Sequence, residues 1–74
     1  MKEGLWLSWA DNEGLNGVCI LQETCLTTAL SEAIRLGIRP EKGGQLVGIP
    51  VDFDMFPTEA TYRLLNKEEA SKYV

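Results

Sequence analysis

Residues 24–53, TCLTTALSEAIRLGIRPEKGGQLVGIPVDF, change the period of their hydrophobic pattern midway, and that change sets the fold. In the first half, Leu26, Ala29, Leu30, Ala33 and Ile34 recur at i, i+3, i+4, i+7 and i+8, while Thr27, Thr28, Ser31, Glu32 and Arg35 fall mostly off the stripe. The spacing predicts an amphipathic helix over 24–38. Thr24 fits the N-cap, with Glu23 adding negative charge at the positive end of the dipole. Gly37 stands where a left-handed residue closes a helix, Ile38 supplies the accompanying apolar contact, and Pro40 forbids continuation. After the turn residues Pro40-Glu41-Lys42-Gly43-Gly44 the period becomes two: Val47, Ile49, Val51 and Phe53 alternate with Leu46, Gly48, Pro50 and Asp52. This is a strand, and because Pro50 has no amide hydrogen it belongs at a sheet edge or ends near that residue.

Upstream, Leu5 to Ala10 reads as a strand with Leu5, Leu7 and Trp9 on one face and Trp6, Ser8 and Ala10 on the other. Asp11 to Gly17 is turn chemistry, and Val18-Cys19-Ile20-Leu21 resumes an apolar run suited to a strand covered on both sides. A β-hairpin with a long loop is the simplest account. Downstream, Pro57 with Glu59 reads as a first helical turn, yet Thr61 to Leu65 also suits a fourth strand. Asn66 and Glu69 have the spacing of a capping box that opens a short helix over Lys67 to Tyr73.

The order strand, strand, helix, strand, helical tail specifies an α+β domain: a three-stranded mixed sheet, one main helix on one face, and short C-terminal helical segments. The third strand is expected to run parallel to the second and antiparallel to the first. One helix covers one face. The other carries one of the two tryptophans and half of the Val18–Leu21 set, and either the tail or a second copy of the sheet must cover it.

With 74 residues the chain is one domain, and a core of this size rarely supplies more than about 3–5 kcal/mol, so disulfides, metals or oligomerisation commonly assist. The chain has no histidine and two cysteines, which falls short of a structural zinc site. Leu5 to Ala10 is too short for the apolar core of a signal peptide, so reduced thiols and a cytoplasmic setting are expected. A net charge of −4 without any basic cluster disfavours nucleic acid and anionic membrane surfaces as partners. Oligomerisation is the staple that remains, with a homodimer as its simplest form.

Candidate sites follow from residue chemistry. Cys25, as the first residue of the helix, stands where the dipole favours a thiolate, and Cys19 is a possible resolving partner; no Cys-x-x-Cys pair or histidine base accompanies them. Asp52 and Asp54, two apart on an extended backbone, would aim two carboxylates to one side, with Glu59 as a third metal ligand, although the rest of a calcium loop is missing. As a glycosidase pair the same acids would lack room for a sugar. Lys42-Gly43-Gly44 with Arg39 has the makings of an anion nest, but without P-loop spacing a plain turn explains it. Trp6, Trp9, Leu7 and Leu21 are the candidate interface residues: the tryptophans lie on opposite faces of one strand, so one of them faces the side the helix leaves open.

The strings Ala33 to Pro40, Gly43 to Gly48 and Leu64 to Glu69 resemble a pattern found in small uncharacterised bacterial proteins, some carried on mobile elements. The resemblance implies no activity. The expected function is a non-enzymatic association module that self-associates through an uncovered apolar sheet face, with a partner protein or small apolar ligand in the resulting cleft and no cofactor. A thiol-dependent enzyme or redox sensor built on Cys25 is the alternative, and an acidic mimic that binds a basic partner is a third reading.

Overall fold

The computed structural model describes residues 2–11, 14–38 and 44–73. Three strands, β1 (Glu3–Asp11), β2 (Gly14–Leu21) and β3 (Gln45–Asp52), form one sheet in the order β2-β1-β3, and helix α1 (Leu26–Leu36) intervenes between β2 and β3. The tail holds two 3-10 turns, Phe53–Met55 and Thr58–Ala60, and the short helix α2 (Lys67–Ser71). The α+β class and the element order agree with the sequence pattern. The word "mixed" does not: β3 does point the same way as β2, but β1 sits between them and pairs antiparallel with both, so no parallel ladder forms. The helix crossover spans the central strand rather than delivering β3 beside β2.

The hairpin is also tighter than its turn-rich sequence suggests. Asp11 pairs with Gly14, so 12–13 alone connect the strands, and the irregularity is taken up by a bulge between Trp9 and Ala10. No bulge interrupts the pairing of β1 with β3, which runs from Glu3·Asp52 to Ala10·Gln45.

Helix α1 starts later than its residue types suggest. Cys25, not Thr24, is the N-cap, and the Ala29 amide donates to the Cys25 carbonyl at 2.9 Å. The other end closes as read: Gly37 has φ 130°, its amide donates to the Ile34 carbonyl, and the Ile38 amide reaches back to the Ala33 carbonyl at 3.0 Å. A side chain at Gly37 would be strained by that φ and would press on Leu64. Only the small members of the stripe, Ala29 and Ala33, are fully buried, so the helix lies close against the sheet; Leu26 and Ile34 flank it and stay exposed.

Two apolar layers result. Under α1, Leu5, Leu7, Cys19, Leu21, Ala29, Ala33 and Ile38 form one core, with Trp9, Leu36 and Leu46 at its margin. On the opposite face Val18 and Ile20 pack with Leu65 and Ala70 of the tail, flanked by Trp6, Phe53, Phe56 and Tyr73. The tail therefore covers the second face, the intramolecular alternative left open by the sequence. It covers the β2 side and the centre; Val47 and Ile49 of β3 remain 46% and 49% exposed.

The 57–65 ambiguity resolves into parts of both readings. Thr58–Ala60 is a single 3-10 turn, while Leu65 pairs with Val18 as an isolated antiparallel bridge, each amide donating to the other's carbonyl at 3.1 and 2.8 Å. Tyr62 adds to that closure. Its amide donates to the Ile20 carbonyl, and its hydroxyl accepts from the Gln22 amide, both at 3.1 Å. To do so it takes φ 56°, a left-handed conformation unusual for a bulky residue that its surroundings must hold in place. The capping box at α2 is present: Asn66 Oδ1 accepts from the Glu69 amide at 2.8 Å, and Glu69 Oε1 accepts from the Asn66 amide at 3.3 Å.

Candidate association surface

Which backbone groups β3 turns outward follows from one bond. The Phe53 amide donates to the Lys2 carbonyl at 2.8 Å, in register with Glu3·Asp52. Antiparallel ladders alternate bonded and non-bonded pairs. Ile49 opposite Trp6 and Val47 opposite Ser8 therefore bond inward to β1, whereas Leu46, Gly48, Pro50 and Asp52 direct their backbone groups away from the sheet. Pro50, with no amide hydrogen, sits on the outward side, where the edge-strand expectation places it. Among the described residues no strand pairs with this edge.

The side chains of β3 divide by face. Toward α1 stand Leu46, Gly48 and Pro50, a low surface over which Leu26 leans: a Cβ at Gly48 would meet Leu26 Cδ1 at 3.2 Å. Toward the tail stand Val47, Ile49 and Val51. Ile49 and Val51 border an open cleft of about 220 Å³ whose other walls are Trp6, Phe56 and Tyr73. Trp6 and Phe56 pack with centroids 6.0 Å apart, and Phe56 meets Tyr73 edge-on at the same distance. No ionisable side chain lies between Gln45 and Val51. A second groove of about 490 Å³ lies near the end of β3, lined by Glu3, Gly4, Leu5, Thr24, Pro50, Val51 and Asp52.

The expected interface residues separate. Trp6 is half-buried at the cleft. Trp9 is half-buried on the helix side, its Nε1 is enclosed with no acceptor among the described residues, and Gly44 approaches it so closely that a Cβ there would lie 2.2 Å away. Leu7 and Leu21 are 0% exposed beneath α1, so they offer no surface to a partner. Alternation alone could not distinguish them from Trp6, because it divides faces without saying which face the helix takes. Val47 and Ile49, the residues that are exposed, appeared in the sequence as a strand pattern and not as an interface.

Both cysteines are free, Cys19 buried and Cys25 exposed. The Thr28 amide and hydroxyl and the Thr27 amide lower the Cys25 thiol's pKa, although its sulfur closes no full hydrogen bond onto the helix. Burial instead pushes the Cys19 thiol up to about 11. The carboxylate pair does not keep the geometry that its spacing suggested: β3 ends at Asp52, and Phe53–Met55 turns as a 3-10 segment, so Asp52 and Asp54 do not stand two apart on one extended strand. Asp52 Oδ1 accepts from the Asp54 amide at 3.1 Å, and Asp54 faces Lys2 at 4.0 Å. Among the described residues no cluster of three potential metal-binding side chains occurs. The Arg39 and Lys42-Gly43 part of the anion nest lies outside the described residues. Among the described residues no helix is long and apolar enough to cross a membrane.

No protein-family model, curated protein or solved structure matches the chain, so its chemistry is read from this geometry alone.

Proposed function

We propose that this protein is a non-enzymatic association module that binds a second copy of itself through the β3 side of the sheet. The observation that carries this reading is the half-exposed row of Val47 and Ile49 on an uncharged edge strand beside the Trp6–Phe56–Tyr73 cleft. Isolated apolar side chains on a surface are ordinary, but a contiguous row beside an aromatic cleft marks an interaction surface. A small apolar ligand suits the cleft less well, since its volume lies below the roughly 300–1,000 Å³ of typical ligand pockets. The larger groove is lined by two carboxylates, Glu3 and Asp52, and suits an apolar ligand poorly. Reduced thiols, and with them a cytoplasmic setting, belong to the same proposal.

Size exclusion with multi-angle light scattering tests it: the expected species at high micromolar concentration is twice 8.2 kDa, dissociating on dilution. A monomer at every concentration overturns it.

The lowered pKa of exposed Cys25 favours a second reading, a thiol-based sensor. Cys19 cannot act as its resolving partner while it stays buried. Oxidant titration followed by mass spectrometry checks this reading; Cys25 unmodified at stoichiometric peroxide removes it.

A further inference from the structure

We infer that two copies join edge to edge, β3 against β3, antiparallel about a twofold axis beside Val47, so that the two three-stranded sheets become one of six strands. The inference rests on the self-association reading and adds its geometry and register. Val47 bonds inward to β1, so Leu46 and Gly48 on either side of it turn their amides and carbonyls outward. With the axis beside Val47, Leu46 faces Gly48 of the partner subunit and Gly48 faces Leu46 of the partner subunit, two reciprocal hydrogen-bonded pairs that leave none of these groups unmet.

Pro50 excludes the neighbouring registers. An axis at Gly48 lays Pro50 against the partner subunit's Leu46, and an axis at Ile49 lays it against the partner subunit's Gly48. In both cases the ring stands where a carbonyl needs a donor. An axis at Leu46 leaves one bonded pair within the bounds of β3. The axis beside Val47 is thus the register with the most bonded pairs in which no β3 residue opposes Pro50.

A second copy is the occupant because the edge is self-complementary and unguarded in this window. Gln45 to Val51 contains no charge to repel a copy, and the pairing with β1 carries no bulge that would twist the edge away. Pro50 protects only the far half. On the tail side, the same register places Val47 against the partner subunit's Val47 and brings Ile49 beside the seam, where these exposed side chains gain apolar contact.

Disulfide trapping in a Cys25→Ser background reads the register. At a non-bonded antiparallel pair the two Cα atoms lie about 4.5 Å apart, within disulfide range. Val47→Cys is therefore expected to give a covalent dimer rapidly under mild oxidation. Ile49→Cys is not, because the two copies of residue 49 are offset by about 13 Å along the strands. Circular dichroism of each reduced variant confirms the fold. A dimer in which Ile49→Cys cross-links and Val47→Cys does not overturns the register while leaving self-association standing. A chain monomeric by light scattering, with neither variant cross-linking, overturns both.

Discussion

The two edges of this small sheet are finished in opposite ways. At β2 the chain returns to close its own edge: Leu65 takes both backbone groups of Val18, and Tyr62 takes the Ile20 carbonyl and the Gln22 amide. At β3 the outward groups of Leu46 and Gly48 have no such cover among the described residues, and the device present is the missing amide of Pro50. Closing an edge needs a residue in a costly conformation, Tyr62 at φ 56°, and a latch to hold the segment down. That latch is Arg63, whose Nε donates to the Glu59 carbonyl and whose Nη2 donates to Glu69 Oε2, each at 2.6 Å. Leaving an edge open needs nothing but restraint in composition. The difference teaches that the two edges are built differently, the closed one tied down by the tail and the open one left to the contact with another chain proposed above.

If the closed edge carries stability, Leu65→Ala should have the largest effect. The side chain is fully buried among Val18, Ile20 and Ala70, and its loss is expected to cost about 2–5 kcal/mol, a large share of what a small domain possesses. Urea unfolding followed by tryptophan fluorescence reads this, and a loss under about 1 kcal/mol would mean that the tail does not hold the edge. Removing the helix cap with Asn66→Ala is expected to cost about 1 kcal/mol in the same assay, because the Glu69 amide loses its acceptor while the Asn66 amide keeps Glu69 Oε1. On the open edge, Ile49→Ser should leave monomer unfolding within about 0.5 kcal/mol of the parent while weakening the dimer; a large loss of monomer stability would place Ile49 in the core instead.

Two titrations sharpen the same contrast. The Arg63 guanidinium holds the Glu69 carboxyl below its ordinary range. A carboxyl depressed in the folded state stabilises above its unfolded pKa, and that contribution disappears as pH falls through the lower folded value. Thermal melts should therefore show tail stability declining below about pH 4.5, with that component missing in Glu69→Gln. Cys19 works in the other direction. Its thiol is raised to about 11, so its contribution is complete below the unfolded thiol pKa of about 8.5 and fades as pH rises toward 11. Cys19→Ala should flatten that alkaline decline; an unchanged slope would show that the buried Cys19 thiol does not cause it.

Much of this architecture was legible in the residues, and the parts that were not share a cause. Helix α1, its glycine stop, the Asn66–Glu69 box and the edge position of Pro50 all depend on neighbours within a few positions. Strand order, the closure of β2 by Leu65 and the burial of Leu7 and Leu21 depend on residues tens of positions apart, which no local period encodes. Cys25 rather than Thr24 is the N-cap because the first helical backbone bond, from the Ala29 amide, lands on the Cys25 carbonyl. As for the surface, alternation read Val47 and Ile49 only as one face of a strand. Their exposure comes from α1 and the tail both packing over β1 and β2 and stopping short of β3.

The central strand precedes both of its partners in the sequence, and this has a bearing on assembly in time. β1 meets β2 within a hairpin, a unit of marginal stability in water, but its other flank is completed by Gln45–Asp52, some forty residues later. Non-local pairing of this kind raises contact order and slows folding. Until β3 is synthesised and docks, the interior strand of the finished protein is itself an edge, with Trp6 beside it. The order in which the chain emerges thus gives β1, for a time, the same open flank that β3 retains.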